Sequence, residues 1–282
     1  MGITVEAYAK INLFLDVLRR LESGYHEVDM VMQRVSLKDS LYFEKRPSGI
    51  EIVSDHPYMP RDRGNLAYQG VLQVKKALNL TGGVRIRLEK HIPVAAGLAG
   101  GSADGAAAIV GMNRLYDLGL SLEEMMALGR PLGADVPFCF LKGAARARGI
   151  GQDLEPVKGL GNVYILLTKP NLSVSTKSVY ENLTREDLGR HGDIEGILGA
   201  LEEDNLYSVS RNLFNILEPV TMRRYPGVLE EKKRMTAYGA KGVLMSGSGP
   251  TIFGLFNREG PARAAYRNFK RFNRQTYLVR PI

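Results

Sequence analysis

The sequence predicts an α+β protein built as two lobes. Apolar residues alternate in several short stretches, of which residues 84–91 are a clear example, and this pattern is typical of half-buried strands. Elsewhere apolar residues recur every three or four positions, as at residues 65–80, which favours amphipathic helices. Five glycines within residues 143–161 separate the two halves. We therefore expect one lobe over residues 1–155 and a second over residues 156–282, each of ordinary domain size.

The first lobe is predicted to be rich in strands. Alternation and β-branched residues predict strands at residues 4–18, 28–37, 41–45 and 84–91. Between the last two, a helix is expected at residues 65–80, and Gly82 and Gly83 should end it. A glycine-rich stretch at residues 93–105 should lead into a helix that ends near residue 118. Ser121 with Glu124 three residues later is a capping box, which predicts the start of another helix.

The second lobe is predicted to alternate strands with helices. Strands are expected near residues 163–168, 243–246 and 251–256. Helices are expected near residues 175–182, 205–217, 228–238 and 261–272. The second of these helices has an apolar face made by Leu206, Val209, Leu213 and Leu217.

The composition is that of a soluble globular protein. Of the 282 residues, 44% are hydrophobic and 24% charged, and the longest apolar stretches are far short of the ~20 residues that span a bilayer. Residues 1–10 lack a basic segment followed by an apolar run, and Glu6 stands where a myristoylation signal has Ser or Thr. The single Cys139 can form neither an internal disulfide nor a Cys-based zinc site. We expect a cytoplasmic protein with no membrane partner.

The formal net charge of +8 favours nucleic-acid binding at first sight, but its distribution argues otherwise. Residues 258–282 alone carry +6. On the helix predicted there, basic residues share one face and apolar residues form the opposite face: Arg263, Arg267, Lys270 and Arg274 against Ala262, Ala265, Tyr266 and Phe269. A solvated helix surface explains this pattern, so we expect no nucleic-acid partner, with a basic RNA-binding protein kept as the alternative from another class.

The glycine-rich stretch is the strongest candidate for chemistry. Its small residues would let backbone N–H groups approach a phosphate, and the N-terminus of the following helix would add a positive dipole end. Ser102 falls at the predicted cap, where its hydroxyl could reach a phosphate or Mg²⁺. A tight turn that packs the helix closely on the sheet explains the glycines equally well. No Gly-Lys dipeptide occurs, so the Walker P-loop pattern is absent.

Four further segments are candidates with alternatives left open. Residues 246–249, Ser-Gly-Ser-Gly, suit either a pocket wall or a plain hairpin connection. Asp135 is placed where a helix is predicted to end and an apolar strand to start, which suits a general base or a turn-capping Asp before Pro137. Lys10 interrupts an apolar strand and faces either solvent, the default, or a pocket with an anion. Tyr25 and His26 suit ring stacking or a surface turn.

The order and content of these segments resemble the GHMP kinases, the family of galactokinase and of homoserine, mevalonate and phosphomevalonate kinases. The matching segments are AYAKINLFLDV, GLAGGSADGAAA and SGSGPTIF, and they are distributed along nearly the whole chain. The resemblance implies a two-lobed α+β GHMP kinase fold. Its N-terminal lobe would be similar to domain 2 of ribosomal protein S5, and its C-terminal lobe would be ferredoxin-like. It also implies ATP and Mg²⁺ as cofactors.

The resemblance also implies roles for individual residues. Asp135 matches the catalytic base and Lys10 its catalytic partner, while Asn12 matches a residue near the substrate alcohol. The segment that would bind the ATP phosphates comprises Pro93, Val94, Ala95, Ala96, Gly97, Leu98, Ala99, Gly100, Gly101, Ser102, Ala103 and Asp104. Ala99, Ala103 and Gly105 stand where relatives often carry Gly, Ser and Ala. Because one potential hydroxyl ligand is missing at Ala103, Ser102 is the stronger candidate for a metal contact.

Two strings narrow the resemblance to one branch of the family. The pair Tyr25 and His26, in GYHEV, and the string GADVPFC match the branch whose substrate is a cytidylylated polyol with a tertiary alcohol. In that branch Tyr25 and His26 hold the cytidine ring, and Thr176 and Tyr180 line the same pocket, with Tyr180 where a relative has Phe. A kinase of the mevalonate or homoserine type is the alternative within the family. A monomer or weak homodimer is expected.

Overall fold

The computed structural model describes residues 2–57 and 59–282, and residue contacts divide the chain into two compact units. The first unit holds the residues up to Ala9, Leu37–Val94 and Ala99–Lys142. The second holds Lys10–Ser36, Ala95–Leu98 and Gly143–Ile282. Strands and helices are mixed in both, which confirms the α+β class. Because the units interleave along the sequence, the single lobe boundary expected between residues 155 and 156 stays a prediction.

Two long strands contribute residues to both units. They are β1 (Ile3–Arg20) and β2 (His26–Arg46), and they are neighbours in one sheet. The prediction of two separate strands at residues 28–37 and 41–45 is wrong, because the polar residues between them remain in the strand. Asp39, which reads as a break in the apolar pattern, is fully buried in the interior and ion-paired with Lys90.

The first unit packs helices against its part of the sheet. Its remaining elements are β3 (Ile50–Ser54), α1 (Leu66–Ala77), β4 (Gly83–Glu89), α2 (Gly100–Tyr116) and α3 (Leu122–Gly129). Neighbouring strands run in the order β3-β4-β2-β1, with β4 antiparallel to β2 and parallel to β3. Residues of α1 and α2, such as Val71 and Ile109, form one apolar core with Phe43 and Ile86 of the strands. The helix and strand predicted at residues 65–80 and 84–91 are confirmed.

Helix starts in the first unit follow local side-chain chemistry. Asn65 caps α1 by accepting a hydrogen bond from the Ala67 N–H, and Ser121 with Glu124 forms the predicted capping box of α3. By contrast, α2 begins after Ala99, which adopts a left-handed conformation and provides no side-chain cap. The prediction that Ser102 caps this helix is therefore wrong, since Ser102 lies within the first turn.

The second unit contains the remaining strands and helices. In chain order they are β5 (Ala144–Arg148), β6 (Asp153–Val157), β7 (Tyr164–Thr168), α4 (Thr176–Glu181), α5 (Arg185–Leu188), α6 (Ile194–Glu202), α7 (Leu206–Asn212), β8 (Phe214–Asn215), α8 (Leu217–Arg224), α9 (Pro226–Ala237), β9 (Gly242–Met245), β10 (Ile252–Phe256), α10 (Glu259–Phe272) and β11 (Thr276–Val279). Around β1 and β2, neighbouring strands run in the order β6-β5-β2-β1-β8.

A four-stranded antiparallel sheet completes the second unit, with strands in the order β11-β7-β10-β9. In chain order the pattern is strand, helices, two strands, helix, strand, which is the ferredoxin-like arrangement that the family resemblance implies. Ala262, Ala265 and Phe269 of α10 are buried, so the apolar face predicted for this helix is confirmed.

The helix predicted at residues 205–217 is wrong, because the chain forms α7, then β8, then α8. Leu213 ends α7 with an extended backbone, and Phe214 pairs with Phe14 of β1, their ring centroids 5.4 Å apart. The side-chain amide of Asn215 donates to the carbonyl oxygens of Met245 and Gly247 at 2.7 and 2.8 Å. These long-range partners outweigh the local helical pattern.

An ion pair in the second unit should make stability depend on pH. Asp187 forms a capping box with Thr184 at the start of α5, and both of its oxygens accept from the Arg223 guanidinium at 3.0 and 2.6 Å. Hydrogen bonding from Arg223 holds the pKa of Asp187 well below its usual range. A carboxyl whose pKa is lowered on folding stabilises the fold above its unfolded pKa of about 4, and this stabilisation is lost as the pH falls.

We expect Asp187→Asn to lower the free energy of unfolding by about 1–3 kcal/mol near neutral pH. The difference from the parent chain should shrink as the pH is lowered toward about 3, because the parent loses the contribution that the variant never has. Urea unfolding of both chains at several pH values measures this. A difference that stays constant with pH would show that the ion pair does not contribute through its charge.

Candidate active site

Within the first unit, the start of α2 presents free backbone donors. The N–H groups of Gly100, Gly101 and Ser102 lie in the first turn, where a helix offers no carbonyl partner four residues back. The helix is 17 residues long, so its dipole places positive charge at this end. Unpaired N–H groups and a positive dipole end together form an anion site.

Close packing explains the glycine that starts this helix. A Cβ on Gly100 would lie 2.8 Å from Ile92 Cγ2 and 3.0 Å from the Lys90 ammonium nitrogen. In the same turn the Asp104 side chain is 2% exposed, and burial raises the pKa of its carboxyl while the Lys90 charge opposes that rise. The start of α2 therefore combines the buried Asp104 carboxyl group with the free N–H groups of residues 100–102.

Within the second unit, the residues 95–98 of the predicted phosphate segment meet two other predicted motifs. The Lys10 N–H donates to the Leu98 carbonyl oxygen at 3.2 Å, and the Ser246 hydroxyl donates to the Gly97 carbonyl oxygen at 2.8 Å. Gly97 has a φ of +73°, and a Cβ there would lie 2.1 Å from the Ser246 carbonyl oxygen. Only glycine fits this approach.

Lys10 is buried rather than solvent-facing. Lys10 is 4% exposed, and its ammonium donates to Asn12 Oδ1 at 2.7 Å. The default interpretation of Lys10 as a solvent-facing position is therefore wrong, and the alternative, a lysine that faces a pocket with an anion, stays a prediction. Asn12 is also fully buried, and its amide donates to the Met30 sulfur at 3.6 Å.

The Ser-Gly-Ser-Gly segment connects antiparallel β9 and β10, as the sequence predicts for adjacent strands. Side chains that the sequence did not single out hold it in place. The Asn215 amide donates to the carbonyl oxygens of Met245, just before the segment, and of Gly247 within it, and the Thr221 hydroxyl donates to the Ser248 carbonyl oxygen at 3.1 Å. No sequence signal points to Asn215, because its surroundings fit a helical pattern.

Of the residues predicted to hold the cytidine ring, all in the second unit, His26 and Tyr180 are in contact, whereas Tyr25 is exposed. His26 and Tyr180 have ring centroids 5.1 Å apart at an interplanar angle of 40°. Thr176, at the start of the same helix as Tyr180, forms a hydroxyl–hydroxyl hydrogen bond of 2.8 Å with Ser248. Tyr25 is 64% exposed, and its carbonyl oxygen accepts the Leu21 N–H in a turn.

The protonation state of His26 follows from its surroundings. Burial lowers the pKa of His26, and the positive charge of Arg20 lowers it further. A histidine with a lowered pKa is neutral at physiological pH. An uncharged ring beside the Tyr180 ring suits the flat face of an aromatic ligand.

Asp135 lies in the first unit, in a turn between the 3₁₀ helices Arg130–Leu132 and Phe138–Phe140. The prediction that an apolar strand follows it is wrong, because residues 138–140 form the second of these helices. Asp135 is half-buried beside the buried Val136, and its carbonyl oxygen accepts from the Cys139 thiol at 3.3 Å. The predicted partnership of Asp135 with Lys10 of the second unit stays a prediction.

Residues 2–57 and 59–282 contain neither a cluster of protein metal ligands nor a membrane-spanning helix. In those ranges no three His, Cys, Asp or Glu side chains come close enough together to hold a metal ion. The same ranges contain no helix with the length and apolar character needed to cross a bilayer.

Profiles of two protein domains match the sequence. The profile described as GHMP kinases N terminal domain matches residues 65–143, and the one described as GHMP kinases C terminal matches residues 182–275. The first match covers the helix α2 and Asp135, and the second covers the Ser-Gly-Ser-Gly segment.

Curated relatives and solved structures are similar over nearly the whole chain. The 4-diphosphocytidyl-2-C-methyl-D-erythritol kinase of Alkaliphilus metalliredigens is 44% identical over 98% of this chain and 96% of its own. That of Geobacillus thermodenitrificans is 43% identical over 99% and 97%. A crystal structure of a 4-(cytidine 5'-diphospho)-2C-methyl-D-erythritol kinase superposes with a TM-score of 0.85 at 39% identity, covering 98% of each chain.

More distant solved structures share the fold alone. The mevalonate kinase of Methanococcus jannaschii gives a TM-score of 0.76 at 12% identity, covering 100% of this chain and 99% of its own. The homoserine kinase of Cytophaga hutchinsonii gives 0.75 at 21% identity, covering 99% and 97%.

Proposed function

Because the chain belongs to the 4-diphosphocytidyl-2-C-methyl-D-erythritol kinase family of the GHMP kinases, we propose that it transfers the γ-phosphoryl group of ATP to that substrate. The acceptor would be the tertiary 2-hydroxyl of the cytidylylated polyol, and the products the 2-phosphate and ADP. The reaction would belong to the non-mevalonate synthesis of isoprenoid precursors.

The main structural support for this choice of substrate is the pair of rings formed by His26 and Tyr180. Two rings 5.1 Å apart, one of them a neutral imidazole, form a surface on which a pyrimidine base can stack. Mevalonate and homoserine contain no aromatic ring, so such a pair would serve no purpose in a kinase for either. The Thr176 hydroxyl, on the helix that carries Tyr180, supports the same assignment because it can turn toward a polar group of the nucleotide.

Residues 93–104 are proposed to bind the ATP phosphates. Support comes from the free N–H groups of Gly100, Gly101 and Ser102 and from the positive end of α2. In the second unit, the Ser246 hydroxyl donates to the Gly97 carbonyl oxygen and so fixes the backbone there. The segment would therefore keep its conformation when no nucleotide is bound. Backbone donors held in place in this way stabilise phosphate charge without moving during the reaction.

Magnesium fits the donor groups that the chain offers near the phosphates. Mg²⁺ keeps several waters and takes one or two protein oxygens beside the phosphate oxygens, so a cluster of protein ligands is not needed. The Ser102 hydroxyl, in the first turn of α2, is the residue that we propose holds it. When bound, the ion would neutralise charge on the transferring phosphoryl group.

Asp135 is proposed to accept the proton of the alcohol, and Lys10 to stabilise the negative charge on the phosphoryl group. A tertiary alcohol is a crowded and weak nucleophile, so a base that accepts its proton during attack lowers the barrier. Asp135 would be that base, held by a turn whose flanking residue Val136 is buried. The Lys10 ammonium, which the Asn12 oxygen orients, would keep the base ionised and stabilise the phosphoryl oxygens.

Cytoplasmic location, a monomer or weak homodimer, and the absence of a nucleic-acid partner are also proposed. Cys139 is the single cysteine of the sequence, so no disulfide forms within the chain, and this suits a reducing compartment. On the basic helix α10, Arg263 is paired with Glu259 and the apolar face is buried, which supports a solvated surface rather than a nucleic-acid site.

The test of the proposed function is ATP consumption with three alcohols. We expect turnover with 4-diphosphocytidyl-2-C-methyl-D-erythritol and formation of its 2-phosphate, and background rates with mevalonate and homoserine. Turnover of either small alcohol at a comparable kcat/KM would instead make the chain a kinase of that type.

Truncating the ring of Tyr180 should weaken binding of the cytidylylated substrate alone. A stacked aromatic ring contributes about 1–3 kcal/mol per base, so we expect Tyr180→Ala to raise the KM for this substrate by about 5- to 150-fold. The KM for ATP should be unchanged. Tyr180→Phe is the matched control, because it keeps the ring and should behave like the parent. Equal KM values for Tyr180→Ala and the parent would remove Tyr180 from the nucleobase site.

A further inference from the structure

Three charged side chains are buried together in the first unit, and the proposed mechanism uses none of their charges. They are Asp39 of β2, Lys90 just after β4, and Asp104 in the first turns of α2. Their side chains are 0%, 3% and 2% exposed, respectively. The Lys90 ammonium contacts Asp39 Oδ2 and lies 2.9 Å from Asp104 Oδ2.

Stability alone does not explain such a cluster. Burying an ion pair or triad costs desolvation energy that the mutual attraction barely returns, and apolar residues of similar volume are often as stable or more so. Here the cost is greater still, because Asp104 Oδ1 is buried and has no hydrogen-bond partner. A cluster retained at that cost fits a role other than adding stability.

The position of the cluster indicates what that role is. Asp39 Oδ1 accepts the N–H groups of His91 and Ile92, at 2.5 and 2.8 Å, immediately before the phosphate segment begins at Pro93. Asp104 is the last residue of the same segment, and Lys90 joins it to Asp39. The residues just before the segment are therefore held directly by Asp39 of a central strand, and the last residue of the segment is joined to the same Asp39 through the Lys90 ammonium.

The same ammonium lies against the turn that offers the phosphate donors. A Cβ on Gly100 would be 3.0 Å from Lys90 Nζ, so the ammonium touches the helix at its first residue. Loss of the ammonium would leave a gap beneath this turn and release Asp104 from β2.

We propose that Lys90 is a positioning residue for ATP binding: it joins Asp104, at the end of the phosphate segment, to Asp39, which holds the residues just before the segment, and so keeps the N–H groups of α2 aimed at the phosphates. The inference rests on the proposed function, because it takes residues 93–104 as the ATP site. Lys90 itself touches neither ATP nor the reacting atoms in this role.

The experiment compares binding of a non-hydrolysable ATP analogue with the kinetics of both substrates. Lys90→Met keeps the length of the side chain and removes its charge. Because that variant leaves two buried carboxyl groups facing each other, Lys90→Met/Asp104→Asn is measured beside it: the double variant keeps only the Asp39 carboxyl group, and an amide at position 104 can donate a hydrogen bond to it. Lys76→Met, the same change at an exposed position of α1, is the control.

For Lys90→Met and for the double variant we expect the dissociation constant of the analogue and the KM for ATP to rise by at least about tenfold. The KM for the alcohol substrate should stay within about twofold, and the double variant should unfold at a higher temperature than Lys90→Met, because it has one buried carboxyl group fewer. A role confined to stability would lower the unfolding temperature without this split between the two KM values.

Normal analogue binding by a folded double variant would overturn the inference alone. A rise of both KM values by the same factor would overturn it as well, since a positioning role predicts an effect on ATP only. Failure of the parent chain to bind the analogue would overturn the proposed function and this inference with it.

Discussion

Replacement of Asp135 by Asn should abolish phosphoryl transfer and leave nucleotide binding almost unchanged. A general base contributes about 10²- to 10⁴-fold to a rate, and a tertiary alcohol depends on it strongly, so we expect kcat to fall by at least about 10³-fold. Asn has the shape of Asp but cannot accept the proton. The turn should survive, because Cys139 bonds to the backbone oxygen of this residue rather than to its side chain.

Single-turnover rates and calorimetric binding of an ATP analogue measure the two halves of this prediction. Asp117→Asn is the matched control: Asp117 is exposed at the end of α2 in a left-handed conformation that Asn adopts easily. It should react like the parent. A kcat of Asp135→Asn within about tenfold of the parent would remove Asp135 as the base, and loss of analogue binding would indicate a structural role instead.

Local patterns were sufficient to predict most elements. The capping box of Ser121, the alternation at residues 84–91 and the apolar face of α10 each depend on neighbours in sequence, and all three are confirmed. The α+β class follows from such patterns. The ferredoxin-like order of the second sheet came from the family resemblance, because strand order depends on contacts that the pattern of one strand does not encode.

The sequence-based predictions are wrong where distant residues decide the structure. Asp39 reads as a break in a strand, yet it stays in β2 because Lys90 and two backbone N–H groups satisfy it in the interior. Asn215 lies in an apparently helical stretch, yet its amide binds two carbonyl groups about 30 residues further along the chain. A buried polar group takes the conformation that pairs it, and its partner cannot be identified from spacing alone.

In the candidate site, too, some residues can be predicted from the sequence and others cannot. Segments with special backbone requirements, such as residues 97–104 and 246–249, were recognisable because glycine is needed where chains approach closely. The burial of Lys10 was not predictable, since a lysine between apolar neighbours most often faces solvent. Lys90 and Asn215, which hold the recognisable segments in place, lie outside every motif.

Replacement of Gly97 by Ala should damage both the fold and ATP binding. Gly97 has a φ of +73°, and the added Cβ would lie 2.1 Å from the Ser246 carbonyl oxygen. The left-handed conformation costs a residue with a Cβ about 1–2 kcal/mol, and overpacking adds about 1–3 kcal/mol. Ser246 cannot retreat easily, because Asn215 and Thr221 hold the segment that contains it.

We therefore expect Gly97→Ala to lower the free energy of unfolding by about 2–5 kcal/mol and to weaken binding of an ATP analogue by at least tenfold. Gly101→Ala is the matched control in the same segment. A Cβ there meets only Leu66 Cδ1 at 3.5 Å, and alanine favours a helix by about 1 kcal/mol over glycine, so this variant should be at least as stable as the parent. Urea unfolding and calorimetric titration test both variants. If Gly97→Ala unfolds at the parent midpoint and binds the analogue normally, the close approach of Gly97 to Ser246 has no part in holding the phosphate segment.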